Sequence, residues 1–198
     1  MSATPAAIAE NEASWSIPSR GRVGMISLII AESAIFTIFI AAYIFYIGKS
    51  LDGPTPDQIL RVPFFITVCL LSSSFTMHWA IAALRKGQTA IFNVFWLLTL
   101  ILGAIFLVGT AREWHHLIYQ EGFTIRTNLF GTTYYSLVGL HASHVTAGMI
   151  GLIIVAVLGL AGKVKREHSE RCEVFSMYWH FVDAVWVVVF TVVYGLGR

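Results

Sequence analysis

An acid inside a long apolar run is a costly residue, so Glu32 and Asp183 are the first places to look for chemistry. Glu32 sits in Ile29-Ile30-Ala31-Glu32-Ser33-Ala34-Ile35, within an apolar stretch that begins at Val23. At about 1.5 Å of rise per residue, it lies near the midplane of a bilayer. A carboxyl there must be paired or stay protonated. Its sequence neighbours offer only Ser33 as a polar partner, so a largely protonated acid is expected. A proton-linked site and a carboxyl satisfied by one neighbouring helix both fit. Asp183 follows His180 by three residues in Tyr178-Trp179-His180-Phe181-Val182-Asp183, which puts the two on one helical face. A local structural pair is the favoured reading, ahead of a proton relay.

His141 and His144 share the same spacing within Gly139-Leu140-His141-Ala142-Ser143-His144. Two imidazoles on one face could bind a metal or hold a haem. A metal needs further ligands, however, and nothing local points His78 or His180 at this pair. A bis-histidine haem takes its ligands from opposite sides of the ring, which residues one turn apart cannot reach. Hydrogen bonding between helices or contact with a lipid headgroup is therefore preferred. No metal site is expected. The cluster Arg112-Glu113-Trp114-His115-His116 reads as interfacial anchoring. The run Ser72, Ser73, Ser74, Thr76 and His78 reads as small, hydroxylated residues that let helices pack closely.

The elements that must position these groups follow from composition. The chain has 198 residues, 57% hydrophobic and only 12% charged, against roughly 25% charged in soluble domains. A typical water-soluble domain is excluded and a bilayer protein is implied. The net charge of +2, with scattered bases, gives no sign of a nucleic-acid partner. Cys69 and Cys172 lie far apart and suggest neither a disulfide nor a zinc site. Residues 1–22 read as a polar tail without a cleavable signal. Residues 23–198 read as an all-α integral membrane bundle of five helices, near 23–47, 63–84, 91–111, 129–161 and 174–196. The fourth stretch is longer than a perpendicular span needs, so it should tilt or project. Arg20, Arg22, Arg85, Lys86, Lys163, Lys165, Arg166 and Arg171 fall on one side, against Lys49, Arg61, Arg112, Arg126 and Arg198 on the other. The positive-inside rule then makes the N-terminus cytoplasmic and the C-terminus periplasmic. No phosphate-binding glycine loop, nucleophile constellation or haem-attachment motif is present in the sequence.

These motifs resemble subunit III of the haem-copper respiratory oxidases. Glu173 followed by Tyr178-Trp179-His180-Phe181-Val182-Asp183-Ala184-Val185-Trp186 is similar to that family's closing signature with its upstream glutamate. Gly139-Leu140-His141-Ala142-Ser143-His144-Val145 is similar to the family's Gly-Phe-His-Gly-x-His-Val, with Ala142 and Ser143 as departures. Glu113-Trp114 matches a Glu-aromatic pair, and Ala31-Glu32-Ser33 with Phe36 and Phe39 resembles the element holding the family's membrane-buried glutamate. The resemblance spans all five helices. Many members have seven; this sequence carries five, like the short bacterial members.

The resemblance implies a non-catalytic accessory subunit of a proton-pumping oxidase that reduces oxygen to water in a bacterial plasma membrane. Haem and copper would reside in partner chains, subunits I and II among them, and none in this one. Bound phospholipids are expected. By carry-over Glu32 is the buried, proton-linked carboxyl. Glu113, His141, His144, Glu173, His180 and Asp183 form an interhelical polar network with lipid contacts, and none of them is catalytic. The alternatives are an accessory subunit of a nitric oxide reductase, a small membrane di-haem cytochrome using the histidines, and a proton-coupled transporter using Glu32 and Asp183.

Overall fold

A computed structural model of the chain describes residues 19–50, 53–60 and 62–196. Most of the expected tail at 1–22, together with Arg61 and Arg198, lies outside the described residues. Five long helices account for most of the remainder: α1 (Arg20–Tyr46), α2 (Phe64–Arg85), α3 (Thr89–Tyr119), α4 (Leu129–Leu160) and α5 (Ser169–Phe190). A π-helical turn, Thr191–Leu196, continues α5. Five helical segments are long and apolar enough to cross a membrane, so the chain is an all-helical, multi-pass bundle.

The helix ends depart from the hydropathy boundaries in ways that matter for the polar residues. α1 begins at Arg20 rather than Val23, and α5 at Ser169 rather than Val174, so Arg22 and Glu173 stand on helices. α3 runs through Tyr119 instead of ending at Ala111, which keeps Glu113 helical. Hydropathy marks where hydrocarbon ends, whereas a helix ends where its free backbone groups find caps. Asn128 illustrates this: its side chain accepts from the Gly131 amide at 2.8 Å and starts α4. Gly87, at a φ of 76°, closes α2 with its amide on the Leu84 carbonyl and that of Gln88 on the Ala83 carbonyl. A side chain would be strained there, and the tight turn it permits makes α2 and α3 a hairpin.

Consecutive helices alternate in direction. α5 is central, packing against α1, α2 and α4, while α3 packs on α2 and α4. α1 is peripheral, with only Phe36 and Tyr43 among its described residues fully buried. Where α1 and α5 begin and α2 ends, Glu173 accepts from Arg22 at 2.9 Å and pairs with Arg85 at 2.5 Å. One acid thus ties three helices together at one mouth of the bundle. Both guanidinium groups are substantially exposed, so Glu173→Ala is expected to cost about 1 kcal/mol or less. The check is the denaturant midpoint in detergent. It should drop for the variant at low salt and approach wild type at high salt, because exposed pairs are screened; a drop equal at both would show that the ion pairs are not its cause.

Candidate functional site

Besides the Arg22–Glu173–Arg85 contacts, three further acids among the described residues, Glu32, Asp183 and Glu113, meet partners on other helices. In the first cluster, the Glu32 carboxyl of α1 meets His144 of α4, with Oε2 3.0 Å from Nε2. The other ring nitrogen of His144, Nδ1, lies 2.8 Å from the Leu140 carbonyl. A carbonyl only accepts, so Nδ1 carries hydrogen and Nε2 is the atom that shares a proton with Glu32. The pair holds one shared proton, as carboxylic acid with imidazole or as carboxylate with imidazolium. The polar partner of Glu32 is thus His144 on another helix and not Ser33, the one polar residue among its sequence neighbours. The Ser33 hydroxyl donates instead to the Ile29 carbonyl of its own helix at 2.6 Å. The Phe36 ring lies against His144, with centroids 4.9 Å apart, and the Tyr178 hydroxyl donates to the His144 carbonyl at 3.0 Å.

His141 does not join this network, despite sharing a helix face with His144. It is fully buried, stacked on Trp186 with centroids 4.8 Å apart and edge-on to Phe106, and neither ring nitrogen has a hydrogen-bond partner among the described residues. Of the two histidines, the structure brings only His144 into side-chain hydrogen-bonding contact with another helix among the described residues. Helical drift over one turn is the reason: it turns His144 toward α1 and leaves His141 among aromatic rings from α1, α3 and α5.

The second cluster joins α2 and α5. Asp183 is 3% exposed. Its Oδ2 accepts a short hydrogen bond from the Ser74 hydroxyl and lies 3.5 Å from that of Ser73. His180 does not bond Asp183 directly, as its spacing suggested; its Nδ1 lies 3.1 Å from the Ser74 oxygen, so the hydroxyl stands between them. The Trp179 indole N–H donates to Ser73 at 2.8 Å. The sequence marks Ser73 and Ser74 as close-packing residues, yet Ser74 is the hydrogen-bond donor to the buried acid, while the Ser73 hydroxyl donates to the Leu70 carbonyl of its own helix at 2.6 Å. The available signal was their register: a hydroxyl pair near the middle of one span can meet an acid near the middle of another.

The third cluster lies at the opposite mouth. The Tyr194 hydroxyl, presented by the π-helical turn, donates to Glu113 at 3.2 Å. Glu113 is thus turned into the bundle rather than serving only as an interfacial anchor. Its neighbour Trp114 packs edge-on against Tyr135, and His115 packs on Tyr119. Sequence reasoning did not identify the tryptophan donors that sew the interior together. Trp96 donates to the Leu152 carbonyl at 3.0 Å and Trp186 to Thr67 at 3.2 Å. Among the described residues, no three His, Cys, Asp or Glu side chains converge as metal ligands would.

The comparisons with known proteins agree with the motifs. The family model described as cytochrome c oxidase subunit III matches residues 12–198. The chain is 38% identical over 185 residues to a cytochrome c oxidase subunit 3 of Synechocystis, covering 90% of this chain and 77% of that protein. It is 33% identical over 168 residues to a cytochrome c oxidase subunit 3 of Alkalihalophilus pseudofirmus, covering 84% and 82%. A relative named cytochrome bo(3) ubiquinol oxidase subunit 3, from Pseudomonas aeruginosa, is 32% identical over 172 residues, covering 85% and 81%. With a matching family model over nearly the whole chain and relatives at this identity, the resemblance read from the His141–His144 and Tyr178–Trp186 motifs is borne out: the chain belongs to the cytochrome c oxidase subunit III family.

Proposed function

We propose that this chain is a non-catalytic accessory subunit of a bacterial haem-copper terminal oxidase, packed in the plasma membrane against the subunit that reduces oxygen. The observation that carries the reading is where its polar groups go. Glu32, Glu113, Glu173 and Asp183 each meet a partner on another helix of this chain. Such groups hold a scaffold together and can store or pass protons, but they do not converge on a reacting atom. His141, caged by rings, and His144, committed to Glu32 and Leu140, are poorly placed to ligate a haem. Haem and copper are accordingly assigned to the partner subunits, and the redox chemistry with them.

The N-terminus is assigned to the cytoplasmic face, because the mouth formed by Arg22, Arg85 and Glu173 also gathers Arg20 and Lys86. Proton uptake into the catalytic subunit, protection of the complex during turnover and retention of phospholipids follow as supporting roles. Names of relatives include both a cytochrome c oxidase and a ubiquinol oxidase subunit, so oxygen reduction rather than the electron donor is the common activity proposed.

The test is to tag the chain in native membranes, purify in mild detergent, and take the reduced-minus-oxidised haem spectrum before and after stripping the chain away. Haem that stays with a large, oxygen-consuming partner is the expected result. Haem that follows the stripped chain would overturn it and make His141 and His144 ligands; a partner that consumes nitric oxide instead of oxygen would move the chain to the reductase reading.

A further inference from the structure

Between α2 and α5 a cleft of about 490 Å³ opens, lined among others by His78, Arg85, Lys86, Glu173 and His180. Its mouth is charged. Glu173 and Arg85 pair there, Arg22 reaches in from α1, and Lys86 caps α2. Counting along α5, His180 lies about 10 Å and Asp183 about 15 Å deeper than Glu173, so the line runs from the interface to mid-membrane. An exposed His78 and a half-buried His180 within hydrocarbon would be costly. A cleft that opens at the charged mouth lets water reach them.

Below the cleft the donors align in one direction. The Ser74 hydroxyl donates to Asp183 Oδ2, which leaves its oxygen to accept from His180 Nδ1–H at 3.1 Å. The Ser73 hydroxyl is used elsewhere: it donates to the Leu70 carbonyl at 2.6 Å and accepts from Trp179. Asp183 Oδ1 is buried and has no hydrogen-bond partner among the described residues. The acid therefore connects to the cleft through one hydroxyl and one imidazole.

We propose that Asp183 is a proton-exchanging carboxyl, served from the α2–α5 cleft through His180 and Ser74. His180 takes a proton from cleft water on its outer nitrogen. Its Nδ1 proton passes to the Ser74 oxygen as the Ser74 proton passes to Asp183 Oδ2. One proton leaves water, the carboxylate becomes a carboxylic acid, and His180 and Ser74 end neutral; the reverse sequence resets them. His78, Arg85 and Lys86 on α2, Glu173 on α5 and Arg22 on α1 are the other ionisable groups facing the cleft or its mouth, and they set the local proton concentration. The inference deepens the proton-uptake role proposed above and rests on that reading for its physiological use, although the exchange itself belongs to this chain.

The experiment uses the purified complex that carries this chain, in liposomes, with infrared difference spectra of wild type minus Asp183→Asn isolating the Asp183 bands as pH is cycled and as H₂O is replaced by D₂O. The expected result is a carboxylic C=O band that grows on acidification and shifts with deuterium. In Ser74→Ala its exchange slows by about tenfold, the rate equivalent of one hydrogen bond lost from the path. Ser73→Ala leaves the exchange rate at the wild-type value while removing the neighbouring Trp179 bond. Exchange equally fast in Ser74→Ala, or an Asp183 that shows no protonated band across the cycle, overturns the proposal. Copurification with the haem-bearing partner is read in the same preparations, so failure of the accessory-subunit reading shows separately from failure of the proton path.

Discussion

Replacing Trp179 with alanine is expected to lower the stability of the bundle by about 3 kcal/mol, the low end of the cost of truncating a buried tryptophan in a soluble core. Trp179 is fully buried at the meeting of four helices. A Cβ placed on Gly148 of α4 would stand 2.8 Å from its six-membered ring, and one on Gly103 of α3 would stand 3.0 Å away. From α5 the ring reaches both glycines while its N–H bonds Ser73 of α2. The membrane keeps this cost low. A helix separated from its neighbours stays in lipid, so the usual water-to-core transfer contributes little and lost packing dominates. Trp179→Phe keeps most of the ring and should cost about 1 kcal/mol, mainly the hydrogen bond to Ser73. Gly148→Ala tests the same contact from the other side. It should cost about 1 to 3 kcal/mol in wild type by overpacking, because the ring is fully buried and also stands against Gly103, and it should cost little in the Trp179→Ala background. Denaturant midpoints in detergent for the four proteins would read this coupling. Additive costs would show that the ring and the glycine do not share one space.

That packing was largely illegible in the sequence, for a physical reason. The five spans could be read because about 20 apolar residues are needed to cross hydrocarbon, and α1 to α5 are found where the apolar runs are. Which face of each helix meets its neighbours could not. In a soluble helix the apolar stripe marks the core, but lipid and protein interior are both apolar, so Trp79, half exposed, and Trp179, fully buried, look alike in the sequence. Glycines signalled close contact without naming the ring that fills each gap. The motif around Tyr178–Trp186 identified the family, but not that Ser74 separates His180 from Asp183. Spacing of three residues puts two side chains on one face; it does not decide whether they bond each other or a third group on another helix.

The same limit governed Glu32, which could be placed at mid-membrane by counting while its partner, His144, lies 112 positions away. The pair provides the second large effect. Its side chains are 23% and 14% exposed, so removing one member leaves the other embedded without its proton-sharing partner. His144→Phe or Glu32→Leu alone should cost about 3 kcal/mol, as for breaking a buried pair. The double variant should recover about half of the summed loss, because two apolar side chains meeting in an apolar setting need no partner. Glu32→Gln separates hydrogen bonding from proton sharing: an amide can still donate to His144 Nε2 yet cannot exchange a proton with it. In the proposed oxidase this variant should assemble with an unchanged haem spectrum and start at wild-type activity, then lose activity faster during sustained turnover. The measurements are a double-mutant cycle on denaturant midpoints and oxygen consumption followed to inactivation. A double variant as unstable as the sum of the singles would mean that the two residues act apart. A Glu32→Gln complex that holds its activity as long as wild type would reduce the pair to a structural tie.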